Sequence, residues 1–274
     1  RWDRDVACQL TDLYRISHWT MMPTMVIDLL NNPRLGEYSL ASVRRIGGGG
    51  AAMPEAVSQE LETRWGVRYL EGYGLSETGH VLSNPPEHAK RQCLGIPLYG
   101  VDARVVALDG TAEVPQGSEG EILISGPSMF LGYWNNEAAT RETFVDIEGK
   151  RFLRTGDIGR IDKEGYFFIV DRLKRMVNAS GFKVWPAEIE AMLHAHPAVL
   201  EACVISAPDA HRGETVKAVV ALRKEFVGAV HEEDIVAWSK ERMAAFKYPR
   251  IVEFVAVLPK TASGKVDWRA LQQR

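Results

Sequence analysis

Four short segments of this chain gather side chains able to handle a phosphorylated ligand, and they follow one another in order along 274 residues. Residues 47–54 read GGGGAAMP. Successive glycines let a backbone approach a ligand closely and adopt positive φ. The small Ala51 and Ala52 after Gly49 and Gly50 leave room for a flat ring, although a flexible turn reads the same way. Residues 71–79 read EGYGLSETG. Tyr73 offers an aromatic face for stacking on a base, Ser76 a hydroxyl for phosphate, and Glu77 a hard oxygen for Mg²⁺ beside phosphates. A surface loop with a local Ser/Glu turn is the plain alternative.

The third segment spans residues 151–190 and contains RTGDIG and DRLKRMVNASGFKVWPAEIE. Asp157 is a short acceptor suited to paired ribose hydroxyls, like the acidic residue that reads ribose in dinucleotide folds. Arg172 is a five-donor fork suited to ribose or phosphate oxygens. Either could equally be a surface charge at a strand end. Lys174 falls where a domain junction is expected, so backbone rotation there would reorient everything after it. Ser180-Gly181-Phe182 reads as a turn before a strand, with Gly181 leaving room for a slender thiol arm. The fourth segment, LPKTASGKVDWRAL at residues 258–271, places Lys265 in a glycine-containing loop where it could deliver one positive charge. It is no P-loop, because Val266 stands where that motif needs Ser or Thr. Alone, it is equally a solvated lysine.

These residues need elements to hold them. Helical spacing over Thr24 to Leu30, a short strand over Val43 to Ile46, a helix from Pro54 to Trp65 and a strand over Val67 to Leu70 give the grammar of a parallel α/β sheet. From about Gly95, strand-like runs at Ala103–Leu108, Gly120–Ser125 and Gly165–Val170 alternate with turns, and one helix runs from Asn136 to Thr143. A small antiparallel barrel or sheet fits. After Asp171-Arg172, helices at Pro186–His194 and Glu232–Met243 alternate with strands at Ala202–Ser206, Val216–Leu222 and Ile251–Val255, and a short helix lies near Trp268. That is a compact α+β module of about one hundred residues, large enough to fold alone. The expected division is 1–171, itself 1–94 α/β and 95–171 β-rich, followed by 172–274.

Composition excludes several classes. Hydrophobic residues are 46% and charged residues 25%, the balance of a globular protein, and the net charge of −3 with dispersed Lys and Arg argues against nucleic acid or an anionic membrane as main partner. No apolar run is long enough for a transmembrane segment. Three scattered cysteines favour a reducing cytoplasmic setting over a disulfide framework. The histidines, including His194-Ala195-His196, have no carboxylate or Cys at ligand spacing, and a helix-end role suits His194 better than metal.

In this order, the four segments resemble the adenylate-forming superfamily of acyl-CoA synthetases, nonribosomal adenylation domains and luciferases, over essentially the whole chain. NASGFKVWPAEIE and the upstream HWTMMPTM look like bacterial fatty acid–CoA ligases of medium- or long-chain type. The resemblance implies a fold class: part of a parallel α/β subdomain and a small β-barrel subdomain, both in the large AMP-binding domain, then a small mobile α+β domain. It also implies roles. Gly49, Gly50, Ala51 and Ala52 would line the adenine site, with Tyr73 on the base. Ser76 would bind phosphate, Glu77 Mg²⁺, and Asp157 and Arg172 the ribose. Lys174 would be the hinge, Ser180, Gly181 and Phe182 would border the CoA path, and Lys265 would catalyse adenylation. ATP, Mg²⁺ and CoA would be the substrates and activator, with no prosthetic group, and a homodimer is allowed.

The implied activity is acid activation as acyl-AMP, then transfer to CoA, with domain rotation between the steps. Aryl or other acid–CoA ligases, carrier-protein adenylation domains and a non-catalytic nucleotide-binding relative remain alternatives. The superfamily's Ser/Thr/Gly-rich phosphate loop and amino-terminal lobe are not in this sequence. The expectation is therefore a carboxy-terminal portion that does not adenylate alone.

Overall fold

A computed structural model describes residues 2–261 and 264–273, so Ala262 and Ser263 of the fourth segment, with Arg1 and Arg274, lie outside the described residues. Packing divides the chain into two compact units, 1–169 and 170–274.

The first unit opens with helix α1 (Arg4–Tyr14), strand β1 (His18–Thr20), helix α2 (Pro23–Leu30), strand β2 (Arg45–Gly48), helix α3 (Glu55–Trp65) and strand β3 (Tyr69–Leu75). Strands β1, β2 and β3 pair in parallel, and β4 (Gly79–Ser83) and β5 (Ile96–Pro97) extend the sheet antiparallel. Sequence chemistry sets the punctuation. Pro23 begins α2 at a position with no intrahelical N–H to lose, and Gly66 ends α3 in the left-handed region at φ 64°. The core beneath this sheet gathers Val26, Leu29, Ile46, Leu61 and Tyr69.

A second five-stranded sheet follows, in the same unit except for the last three residues of its final strand. It comprises β6 (Asp102–Val106), β7 (Gly120–Ser125), β8 (Phe144–Ile147), β9 (Lys150–Ile161) and β10 (Phe167–Arg172), in the order β10-β9-β7-β6 with β8 on β9. Helix α4 (Glu137–Thr143) is capped by Asn136, whose side chain accepts from the Ala139 N–H. Expectation and structure differ most here. The longest strand of the unit, β9, runs through Thr155-Gly156-Asp157, which by its residues reads as a turn.

The second unit is built on the antiparallel strands β11 (Val177–Ala179), β12 (Phe182–Val184), β13 (Val199–Asp209) and β14 (Gly213–Leu222), with β15 (Ile251–Phe254) parallel to β14. Helices α5 (Pro186–Leu193), α6 (Glu232–Arg242) and α7 (Trp268–Gln272) complete it. Val177, Ile189, Leu193, Val204, Val220 and Ile235 form its main core. Burying each such side chain contributes roughly 1.5–3 kcal/mol. Among the described residues, no helix is long and apolar enough to cross a membrane.

Candidate functional site

The glycine run is set mainly by its neighbours in the sheet. A Cβ on Gly47 would lie 3.1 Å from the Leu70 carbonyl oxygen, and one on Gly48 would lie 2.8 Å from the Tyr69 hydroxyl and overlap the Met21 carbonyl. One on Gly49 would overlap the Gly72 carbonyl. Of the four, Gly50 alone takes positive φ, at 85°. The sequence reading left two options for the run, close approach to a ligand or a flexible turn, and gave only Gly49 and Gly50 an adenine role. Close packing against neighbouring segments leaves no room for a side chain at Gly47, Gly48 and Gly49, and Gly50 has a positive φ. Ala51 and Ala52 then stand exposed.

The loop is tied down immediately afterwards. Met53, 2% exposed, donates its N–H to Glu71 Oε1 at 2.9 Å. Glu71 is itself 6% exposed, and burial pushes its carboxyl above the usual range while the Met53 N–H pulls it back. Sequence reasoning gave Glu71 no role, although it opens the EGYGLSETG segment.

That segment is a hairpin rather than a loop. Strand β3 continues through Leu75 and turns directly into β4, with Leu75 opposite Gly79. The flanking glycines permit this crossing: a Cβ on Gly72 would lie 2.5 Å from His80 Nε2, and one on Gly74 would overlap the Gly79 carbonyl. Between them Tyr73 is 7% exposed, packed with Leu82, Ile122 and Ile124, so most of its ring is covered by protein. Its hydroxyl donates to Asp157 Oδ2 at 2.7 Å, across 84 residues of chain.

The turn itself is firmly held. Thr78, fully buried, donates its N–H to the Leu75 carbonyl at 3.1 Å, and its Oγ1 accepts the Leu75 N–H at 3.1 Å. The Glu77 carbonyl accepts the Phe130 N–H at 2.8 Å, and its carboxylate Oε1 accepts from the Tyr133 hydroxyl at 2.8 Å. Glu77 is half-buried and Ser76 exposed. Tyr133 is a contact that no spacing rule reveals, since it lies 56 residues away on an irregular stretch.

Asp157 reaches Tyr73 because β9 bulges. Glu121 pairs with Ile158 and Leu123 with Arg154, so Ile122 alone faces Thr155, Gly156 and Asp157. Gly156 takes φ 67° within that bulge. Thr155 Oγ1 donates to the Ile122 carbonyl at 2.7 Å and accepts the Asp157 N–H at 3.0 Å. Glu121, 3% exposed, accepts the Gly156 N–H on Oε1 at 3.1 Å and Arg154 Nη1 on Oε2 at 2.5 Å. Asp157 is fully buried. The sequence reading missed Glu121, yet a signal was present: it is the one charge inside the apolar strand GEILIS.

The remaining expected residues belong to the second unit. Arg172 ends β10, exposed, its N–H on Asp171 Oδ1 at 2.6 Å. Lys174 is the exposed centre of a 3₁₀ turn, Leu173–Arg175. Both sides of that turn are anchored within the unit. Asp171 Oδ2 accepts the Ala187 N–H at the start of α5 at 2.7 Å. Arg175 pairs with Glu190 and lies 3.6 Å from Asp171 Oδ1; these carboxylates keep its guanidinium charged although burial opposes that charge.

Ser180 and Gly181 form the two-residue turn of the β11–β12 hairpin, at φ 56° and 85°. Nothing lies within 4 Å of a Cβ built on Gly181, so conformation rather than crowding calls for glycine there. Phe182, 54% exposed, stacks on Phe246 with centroids 4.6 Å apart. Lys265 is exposed beside Gly264 at φ 81°, and its carbonyl accepts the Thr261 N–H at 2.7 Å.

Thus Gly49 packs against Gly72 beside Tyr73, Tyr73 bonds Asp157, and Ser76 and Glu77 follow on the same hairpin, all in the first unit. A sequence profile described as AMP-binding enzyme matches residues 1–134, and one described as AMP-binding enzyme C-terminal domain matches residues 188–265. The chain is 38% identical over 272 residues to a long-chain-fatty-acid–CoA ligase of Bacillus subtilis, covering 96% of this chain and 46% of that protein. It is 35% identical over 248 residues to a feruloyl-CoA synthase of an Amycolatopsis species, covering 89% of this chain and 49% of that protein. The crystal structure of ATP-bound MatB from Rhodopseudomonas palustris superposes with TM-score 0.90 at 34% identity, over 100% of this chain and 53% of the other. The chain spans about half the length of the curated relatives it matches.

Proposed function

The chain belongs to the AMP-binding enzymes of the adenylate-forming superfamily, and on that premise we propose that its gene-length polypeptide is an AMP-forming acid–CoA ligase acting on fatty acids. The observation that carries this reading is the 2.7 Å bond from Tyr73 to Asp157. It joins two separately read nucleotide segments at one place and leaves the Asp157 carboxylate oriented before any ligand arrives.

In the proposed first step a carboxylate oxygen of the acid attacks the α-phosphorus of ATP, and the bond to the departing pyrophosphate breaks. Asp157 is the proposed acceptor for ribose hydroxyls, and Arg172 is a proposed ribose donor. Gly49, Gly50, Ala51 and Ala52 border the adenine, and Tyr73 stacks on it through the small part of its side chain that stays exposed. Ser76 donates to phosphate. Glu77 fits a Mg²⁺ ion, because Tyr133 fixes one carboxylate oxygen and with it the direction of the group. The ion would neutralise phosphate charge. Lys265 stabilises the charge growing on the α-phosphate.

In the second step the CoA thiolate attacks the acyl carbonyl and AMP leaves with the bonding electrons. The Ser180-Gly181-Phe182 turn borders CoA in that step, and the Lys174 turn is the pivot between the two. The small mobile domain of this proposal corresponds to residues 172–274, and the large one's portion to residues 1–171.

The test is AMP release by the gene-length polypeptide with ATP, Mg²⁺ and CoA against a panel of acids. Medium- or long-chain fatty acids should give the largest kcat/KM, above hydroxycinnamates. Faster turnover with hydroxycinnamates would move the acid class, and use of a carrier protein in place of CoA would move the acceptor. Nucleotide binding with no AMP release for any acid would sink the ligase reading in favour of a non-catalytic relative.

A further inference from the structure

We propose that Glu121 is a positioning residue for nucleotide recognition, holding the Thr155-Gly156-Asp157 bulge in the shape that presents Asp157 to the ribose. The inference rests on the ribose role proposed for Asp157.

Three observations carry it. The bulge puts three residues opposite Ile122, which leaves their backbone without a regular ladder. One of the bulge N–H groups, that of Gly156, is accepted by Glu121 Oε1 at 3.1 Å, and the other oxygen of the same carboxylate takes Arg154 at 2.5 Å. Glu121 is 3% exposed, in a strand whose other members are all buried. A carboxylate kept there must have its charge matched and its lone pairs used, or desolvation would drive it out. Both conditions are met by groups that bracket the bulge: Arg154 on its near side and Gly156 inside it. Arg154 also donates to the Gly110 carbonyl at 3.2 Å, so the clasp is anchored outside the strand pair.

Glu121 therefore does for the ribose turn what Tyr73 does from the other side. Tyr73 orients the Asp157 side chain, and Glu121 fixes the backbone that carries it. An alternative explanation is that Glu121 only stabilises the sheet. The two differ in what they predict for sugar discrimination, because general loosening weakens all nucleotides alike.

The experiment measures calorimetric affinity of the gene-length polypeptide for AMP, 2′-deoxy-AMP and 3′-deoxy-AMP. Wild type should prefer AMP over at least one deoxy form by about tenfold, the size of one charge-assisted hydrogen bond. Asp157→Ala should erase that preference. Glu121→Ala should reduce it to about threefold or less, and Glu121→Gln should restore most of it, since the amide oxygen can still accept the Gly156 N–H. Should Glu121→Ala fail to fold, the double variant Glu121→Leu/Arg154→Met replaces the ion pair with apolar bulk, a change that stability often tolerates. It should show the same loss of preference.

Full retention of the preference in a folded Glu121→Ala or double variant, with Asp157→Ala losing it, overturns the role of Glu121 alone. Retention in Asp157→Ala itself overturns the ribose reading beneath it.

Discussion

The two units differ in how far their expected functional residues are buried: only the first has fully buried members, although its Gly50, Ala51, Ala52 and Ser76 are exposed as well. In the first, Tyr73 and Asp157 are buried at 7% and 0% exposure and bonded to each other, and buried carboxylates at Glu71 and Glu121 hold the loops around them. In the second, Arg172, Lys174, Ser180, Gly181, Phe182 and Lys265 are all exposed and all sit on turns or at a strand end. A recognition site gains from fixed geometry, because every dipole already aimed at the ligand needs no reorganisation on binding. On the proposed mechanism, groups that act in only one of the two steps would gain from being carried on surface turns. The contrast teaches that fixed and delivered chemistry leave different marks, the first in burial and the second in turn conformation.

The largest expected effect tests the delivered half. Lys265→Ala in the gene-length polypeptide should lower acid-dependent pyrophosphate exchange by roughly 10²–10³, while thioester formation from supplied acyl-AMP and CoA changes little. Because Lys265 is exposed, the thermal midpoint should stay where it was. Equal loss in both half-reactions would remove the division of labour. A drop in the midpoint would make Lys265 part of the framework and dissolve the contrast.

How much of this was legible in the sequence follows the same divide. Exposed, turn-borne residues are read from local chemistry: Ser180-Gly181 is a turn before a strand, and Gly264-Lys265 is a loop because of its glycine and polar surroundings. Local rules also placed α2, α3, α4, β7 and α6 to within a residue or two. What failed was tertiary. RTGDIG reads as a turn, yet it lies in the twelve-residue β9 because a bulge absorbs its glycine. EGYGLSETG reads as a loop, yet β3 runs through it, because Gly72 and Gly74 admit His80 and the Gly79 carbonyl. The partners Glu71–Met53, Glu121–Gly156 and Tyr133–Glu77 connect positions 18, 35 and 56 residues apart, and no periodicity encodes such pairs. A lone charge in an apolar strand was the one available hint.

A smaller effect separates two reasons for the glycine at the β11–β12 turn. If conformation is the requirement, Gly181→Ala places a side chain at φ 85° and costs about 1–2 kcal/mol. Ser180→Gly at φ 56° should be near neutral, exchanging relief of strain for unfolded-state entropy. Thermal melting of both variants, alongside the KM for CoA, decides between them. An unchanged melt for Gly181→Ala with a raised KM for CoA would mean that the glycine leaves room for the ligand, as the sequence alone suggested.

The smallest effect probes the fixed half, through Glu71. Burial raises its carboxyl above the ordinary value of 4.5, so the folded chain holds that proton more tightly than the unfolded chain does. The stability this contributes is fully present below pH 4.5 and is lost as pH rises through the folded value, after which the curve flattens. Paired carboxylates such as Asp102 and Asp162, held below their usual range in part by Arg104 and Lys90, slope the other way, so the whole chain's profile mixes both signs. Glu71→Gln isolates the buried group, because every other titration is common to both proteins and the amide oxygen still accepts the Met53 N–H. The variant should melt at the wild-type temperature near pH 4 and above it at pH 7, with the difference opening across the interval between. AMP affinity should be kept, since the loop remains tied. Parallel pH profiles for the two proteins would mean that Glu71 carries no buried charge. A higher midpoint together with lost AMP affinity would mean that the charge is retained, at a cost in stability, for the nucleotide loop itself.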